Sequence, residues 1–235
     1  MLIVFVEELG GGFAPYVEQV SEILLGLTQF YASDNIRNSC AGALPSLMKC
    51  VKESGGDAAA IHAMAKAYSN NILEAMENET ENDCLIAQAQ AIKEIVEEAG
   101  PGLLQPESVG AFTDKVLQFI QQSENRIGEN TKYQEENQEG DEDDKLDEED
   151  LLVLKEENKS EHELQLALAE LLGIMFKTHK DSCQGLVQKL ISEVLPKAAK
   201  DGSKPKTKFL LFILDDMVEF LGPDFLGAVY PQVLE

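Results

Sequence analysis

An all-α architecture is predicted: an α-solenoid of about four to five antiparallel helix pairs, carrying one acidic insertion. Three observations predict it. A short motif returns at a fixed interval, apolar residues step by three and four along candidate helices, and no convincing strand alternation occurs anywhere in the chain. At 235 residues with 44% hydrophobic and 26% charged, the composition is that of a folded globular or repeat protein, which excludes disorder throughout.

The motif Val6-Glu7-Glu8-Leu9-Gly10 recurs as Val51-Lys52-Glu53-Ser54-Gly55 and as Val96-Glu97-Glu98-Ala99-Gly100, each 45 residues on, and again as Val218-Glu219-Phe220-Leu221-Gly222. A degenerate copy, Phe176-Lys177-Thr178-His179-Lys180, stands 42 residues before the last one. The remaining interval is 80 residues, so about 35 residues are inserted into a period of roughly 40 to 47, the length of two-helix HEAT repeats.

Taken in order, Met1 to Gly10 form the second helix of one pair. Tyr16, Val20, Leu24, Leu27 and Tyr31 then trace a core-facing stripe, as do Leu85, Ala89, Ile92 and Val96, and Leu164, Leu168, Leu172, Met175 and Phe176. Phe209 to Leu221 is apolar almost all round, as expected of a helix covered on several sides. Pro15, Pro106 and Pro223 each stand where a first helical turn tolerates proline, the last opening a helix over 223–235. One such pair cannot bury its stripe alone, so the pairs stack. Residues 1–235 are therefore expected to form a single HEAT-repeat segment of a longer solenoid, interrupted at 134–150.

Charge narrows the function. With 19 Lys and Arg against 43 Asp and Glu, the net charge is −24, which argues against direct nucleic-acid binding and for a basic protein partner. Gln134 to Asp150 hold eleven acids, Glu135, Glu136, Glu139, Asp141, Glu142, Asp143, Asp144, Asp147, Glu148, Glu149 and Asp150, and one lysine. Such a block repels itself, so it is expected as a flexible loop or a frayed helical extension, either merely solvated or attracting a basic ligand. Downstream, Lys197, Lys200, Lys204, Lys206 and Lys208 surround a turn with Gly202 and Pro205. They are expected as solvated turn residues, or else as the surface onto which the acidic segment folds back until a basic partner displaces it. Asp215 and Asp216, with Glu219 one turn on, cannot both be buried unpaired, so they pair with a neighbouring repeat or with cations of a ligand. These fourteen acids are the candidate partner-binding residues.

Catalytic and metal chemistry find no motif. The histidines are His62, His162 and His179, and the start of H-E-x-x-H at His162-Glu163 fails at Leu166. Gly10 to Gly12 do not continue into a dinucleotide fingerprint, and neither a P-loop nor a nucleophile elbow is present. Cys40, Cys50, Cys84 and Cys183 form no C-x-x-C pair, which suits a reducing compartment. No cofactor, no metal and no enzymatic activity are expected. The longest apolar runs are too short for a membrane span, and the first residues lack the features of a signal peptide.

The stretch from Met1 to Arg37, the acidic insertion, and FLLFILDDMVEFLGPDFLGAVYP, in this order and at these intervals, resemble the importin-beta (karyopherin-beta) superfamily, closest to its importin-five or beta-three type. The residues carrying the resemblance are Phe13, Tyr16, Glu18, Gln19 and Val20, the insertion, and Ile213, Asp215, Asp216, Val218 and Glu219. It implies a middle to C-terminal piece of a nuclear transport receptor that shuttles between cytoplasm and nucleus. Its partners would be basic cargo such as nuclear localisation signals, ribosomal proteins or histones, the small GTPase Ran in its GTP form, and Phe-Gly nucleoporins. It also implies a concave side lined by second helices, with Arg37, Asp215, Asp216 and Glu219 on or near it. Relatives carry Trp and Arg before the Asp-Asp helix where this chain reads GSKPKTKF. A generic HEAT scaffold and an acidic chaperone for histones or ribosomal proteins are the alternatives.

Overall fold

The computed structural model describes residues 2–138 and 146–222. Glu139, Asp141, Glu142, Asp143 and Asp144, and the helix expected over 223–235, lie outside the described residues. Ten α-helices are described: α1 Leu2–Leu9, α2 Val17–Leu27, α3 Asp34–Glu53, α4 Ala58–Glu77, α5 Asn82–Ala99, α6 Pro106–Gln138, α7 Glu148–His179, α8 Gln184–Lys189, α9 Leu195–Asp201 and α10 Lys204–Leu221. A 3-10 segment, Gly10–Tyr16, leads into α2, and a π-helical turn, Leu190–Val194, joins α8 to α9 without a break. No strand occurs among the described residues.

Local chemistry sets the boundaries. Ser33 and Asp57 cap α3 and α4 by accepting from the backbone N–H groups of Ile36 and Ala60. Asp147 and Asp150 form a reciprocal capping box at the start of α7, and Asp150, with Glu148 and Glu149, sits in a first turn where the helix dipole favours acids. Pro106 is the first residue of α6, whereas Pro15 lies inside the 3-10 segment. Gly202 ends α9 in the left-handed conformation at φ 65°, which a β-carbon would strain.

The period has a direct structural meaning. α1, α3, α5, α7 and α10 are the second helices of successive pairs, and they stack side by side as the central layer, with α2, α4, α6 and α8–α9 against one side of it. Val6, Val96 and Phe176, at equivalent motif positions, are fully buried between these layers. Leu164, Leu168, Leu171, Leu172, Met175 and Phe176 fill the centre of α7 with no more than 1% exposure, each worth about 1.5–3 kcal/mol of burial.

Three expectations are corrected. Tyr16 and Tyr31 are 58% and 69% exposed, because α2 turns Val17, Ser21, Leu24 and Thr28 to the core, a stripe rotated by about one residue from the expected one. α10 is not covered on several sides: Phe209, Ile213, Met217 and Leu221 are buried while Leu211, Phe212 and Val218 are exposed. Met217, not Val218, therefore takes the motif's buried place. Lys206 is not a solvated turn residue. It is buried, with its ammonium on Glu124 at 2.9 Å and on the Gln165 carbonyl at 3.0 Å.

Candidate functional site

The ladder on the second helices

Each second helix leaves one stripe exposed on the side away from the first helices, and the charges on these stripes meet across the repeats. Lys52 of α3 reaches Glu98 of α5 at 3.2 Å, and Lys49 lies 3.8 Å from Glu94. Lys93 of α5 pairs with Glu170 of α7 at 2.7 Å, and Lys177 of α7 returns to Glu97 at 2.7 Å. Lys52, Glu97, Glu98 and Lys177 all belong to copies of the repeating motif, so the charged positions of the repeat are what clamp one repeat to the next. Each exposed pair contributes little alone, roughly 0–1 kcal/mol.

The ladder ends on α10 in three carboxylates. Asp215 and Glu219 are exposed, and Asp216 is half-buried against α7. Gly173 makes that approach possible, since a β-carbon there would overlap the Asp216 carboxylate. Burial raises the Asp216 pKa from 3.8 to about 6, with Asp215, Glu219 and Glu170 adding to the rise and Lys93 opposing it. The structure thus gathers Asp215, Asp216 and Glu219 into one patch, with Glu170 beside it. No salt bridge to any of the three occurs among the described residues.

Arg37 is not on this surface. It is only 5% exposed, its Nε and Nη2 donating to the Glu79 carboxylate at 2.6 and 2.9 Å and its Nη1 to the Phe30 carbonyl. Burial would raise the Glu79 pKa, but the Arg37 hydrogen bonds and the backbone N–H groups of Glu81 and Thr80 outweigh it and hold the carboxylate below its ordinary value. A lone Arg before an apolar run gave no sign that its partner lay 42 residues on.

The insertion and the outer groove

The insertion lengthens two helices. α6 and α7 have 33 and 32 residues against 18 to 20 in α3, α4 and α5, and their added turns pair as an antiparallel hairpin beyond the core. Arg126 holds Glu161 at its base, and Asn130 donates to Glu157 and Asn158 further out. Glu135 and Glu136 lie exposed on α6, and Asp147, Glu148, Glu149 and Asp150 open α7. Among the described residues no ion pair joins 134–150 to the lysines expected to receive it; Lys206 pairs instead with Glu124.

Between the first helices α4 and α6 runs a groove of about 550 Å³ whose lining includes Leu73, Leu103, Leu104 and Phe112. Ser69 lines it, 5% exposed, with its hydroxyl lacking a hydrogen-bond partner. Nothing in the sequence marks this groove, because its walls come from successive repeats.

Two of the histidines make contacts within the fold, and His62 Nε2 lies 3.1 Å from the Ala99 carbonyl oxygen. His179 Nε2 accepts the Leu104 N–H at 3.1 Å, and burial keeps its pKa below the ordinary value. Burial also raises the thiol pKa values of Cys84 and Cys183 to about 11, which makes them poor nucleophiles. No cluster of His, Cys, Asp and Glu suited to a metal, and no helix long and apolar enough to cross a membrane, occurs among the described residues.

Comparison with known proteins

Stacked helix pairs with a charged ladder on one side define a helical-repeat protein of the HEAT solenoid type. Residues 84–196, from α5 into α9, match the family model Importin repeat 6. The karyopherin Kap121p bound to the SUMO protease Ulp1p superposes with a TM-score of 0.76 at 17% identity, over 99% of this chain and 20% of that one. Kap121p bound to the extreme C-terminus of the protein phosphatase Cdc14p superposes with a TM-score of 0.73 at 18% identity, over 98% of this chain and 20% of that one. The chain thus spans about a fifth of the length of these structures. The match to the importin repeat is confined to residues 84–196, and what the chain shares with the karyopherin over nearly its whole length is the fold.

Proposed function

We propose that this chain is a segment of a nuclear transport receptor that shuttles between cytoplasm and nucleus, binds basic cargo without catalysis, and responds to Ran in its GTP form. The observation that carries the reading is the importin repeat at 84–196, lying within a fold shared with a karyopherin over nearly the whole chain. A generic HEAT scaffold would share the architecture without that repeat.

The cargo contact falls on the exposed face of the second helices, at Asp215, Asp216 and Glu219. Three clustered carboxylates, one already desolvated enough to titrate near pH 6, gain most from a Lys or Arg that neutralises them. The outer groove between α4 and α6 suits the phenylalanine of a Phe-Gly nucleoporin: Leu73, Leu103, Leu104 and Phe112 offer apolar surface. Titration of the chain with a basic import-signal peptide tests the cargo contact. Replacing Asp215, Asp216 and Glu219 by their amides is expected to weaken binding about tenfold or more, at roughly 1.4 kcal/mol per tenfold. Equal affinity of the triple variant and the parent would reject this contact.

A further inference from the structure

The α6–α7 hairpin has a face that the solenoid does not use. Beyond Ser123 and Glu161, the last buried residues at its base, α6 continues for 15 residues, about 22 Å of helix. Ile127, Leu151 and Leu154, all half-buried, form the seam between the two helices. Tyr133 and Val153 do not take part in it, and each is 52% exposed. Their positions coincide by helical arithmetic. Tyr133 lies one turn past Glu129 and two past Arg126, and Val153 lies one turn before Glu157 and two before Ser160. Arg126, Glu129, Glu157 and Ser160 line one cleft, with Glu81 and Asp83 of the preceding repeat on its rim. Tyr133 and Val153 therefore prolong that cleft outward on the same face.

The charge of this face is one-sided. Arg126 is already committed to Glu161, its Nε and Nη2 donating to the two carboxylate oxygens at 2.5 and 2.9 Å, so it adds little positive field. Glu81, Asp83, Glu129 and Glu157 border the cleft, and Glu149 and Asp150 lie one turn before Val153. A two-helix hairpin outside a core buries only one stripe of each helix, so a third helix laid in the groove between them is the packing that covers exposed apolar residues on both.

We infer that this face of the α6–α7 hairpin, with Tyr133 and Val153 as apolar contacts and Glu129 and Glu157 as acidic ones, is a docking surface for a basic amphipathic helix of a partner protein. The occupant's chemistry follows from complementarity. Its apolar stripe covers Tyr133 and Val153, and Lys or Arg on its flanks meet the acids on either side. About 15 residues of helix match the groove's length. The surface is separate from the α10 patch and does not depend on the transport reading.

The test uses the whole chain and a fluorescent synthetic helix of about 16 residues, in which Leu recurs at helical spacing among Lys and Arg. A control peptide has the same composition, with its Leu residues scattered round the helix. Anisotropy is read at about 150 mM salt, where diffuse attraction is screened beyond roughly 8 Å. The amphipathic peptide is expected to bind at least tenfold more tightly than the control, and to gain helical circular dichroism on binding. The double variant Tyr133→Ala with Val153→Ser is expected to lose that tenfold advantage, and Glu129→Gln with Glu157→Gln to weaken the amphipathic peptide severalfold. All four side chains are at the surface, so far-UV circular dichroism of each variant should match the parent. Equal binding of the two peptides, absence of binding, or an unchanged affinity in the Tyr133 and Val153 variant would overturn the proposal. The α10 amide variant keeps this binding, so failure of one site is told apart from failure of the other.

Discussion

Replacing Asp216 by Asn should make the protein more stable at neutral pH, and by an amount that depends on pH. The Asp216 carboxyl has a pKa of about 6 in the folded chain against 3.8 in its ordinary state, because burial on Gly173 and the charges of Asp215, Glu219 and Glu170 all oppose ionisation. A raised carboxyl pKa penalises the native state: folding is unhindered by it below the unfolded pKa, and the cost grows with pH until it is complete above the folded pKa. The full shift corresponds to about 3 kcal/mol, and screening at a half-exposed site reduces this to roughly 1–2 kcal/mol. Urea unfolding of Asp216→Asn and parent at pH 7.5 and at several values down to pH 4 measures it. A gain of about 1–2 kcal/mol at pH 7.5 that shrinks toward zero near pH 4 is expected. A gain independent of pH, or a loss at pH 7.5, would refute the reasoning that Asp216 is held ionised at a cost.

Two further outcomes follow from buried polar groups. Glu79→Ala leaves the Arg37 guanidinium buried without its partner and should cost about 3–5 kcal/mol in thermal or urea unfolding. The depressed pKa of Glu79 means that this stabilisation is present above its unfolded pKa and is lost as the pH falls through the lowered folded value, so the variant's deficit should narrow in acid. Gln88 is fully buried in α5 with neither amide atom bonded, so Gln88→Met, of similar volume, should raise stability by about 1–2 kcal/mol in the same assay.

The repeat period, the pairing of helices and the order of the layers were legible because the motif residues do the stacking. Val6 and Val96 are buried at the interfaces, and Lys52, Glu98 and Lys177 clamp them. The three α10 acids were legible as a group because two neighbouring carboxylates in an apolar helix need an outlet. What was not legible depended on partners from another repeat. Arg37 is buried only because Glu79 arrives 42 residues later, and Lys206 only because α6 brings Glu124 across it. The α2 stripe was misread by one residue because Tyr16 and Tyr31 count as apolar in a periodicity, although Val17 and Thr28 pack instead. The insertion's length was readable and a helical extension was one of the two forms expected for it, but the dense acids could not decide between helix and loop, whereas the capping box at Asp147 and the half-buried Leu151 and Leu154 favour helix.

The transport reading is tested most directly at the outer groove, whose lining includes Leu73, Leu103, Leu104 and Phe112. The chain would be titrated at physiological salt with a peptide of Phe-Gly repeats and with the same peptide carrying Ser in place of Phe, using the Phe112→Ser variant as control. The account predicts weak, selective binding of the Phe-Gly peptide that is lost with Phe112. Equal binding of the two peptides, or no binding of either, would contradict it.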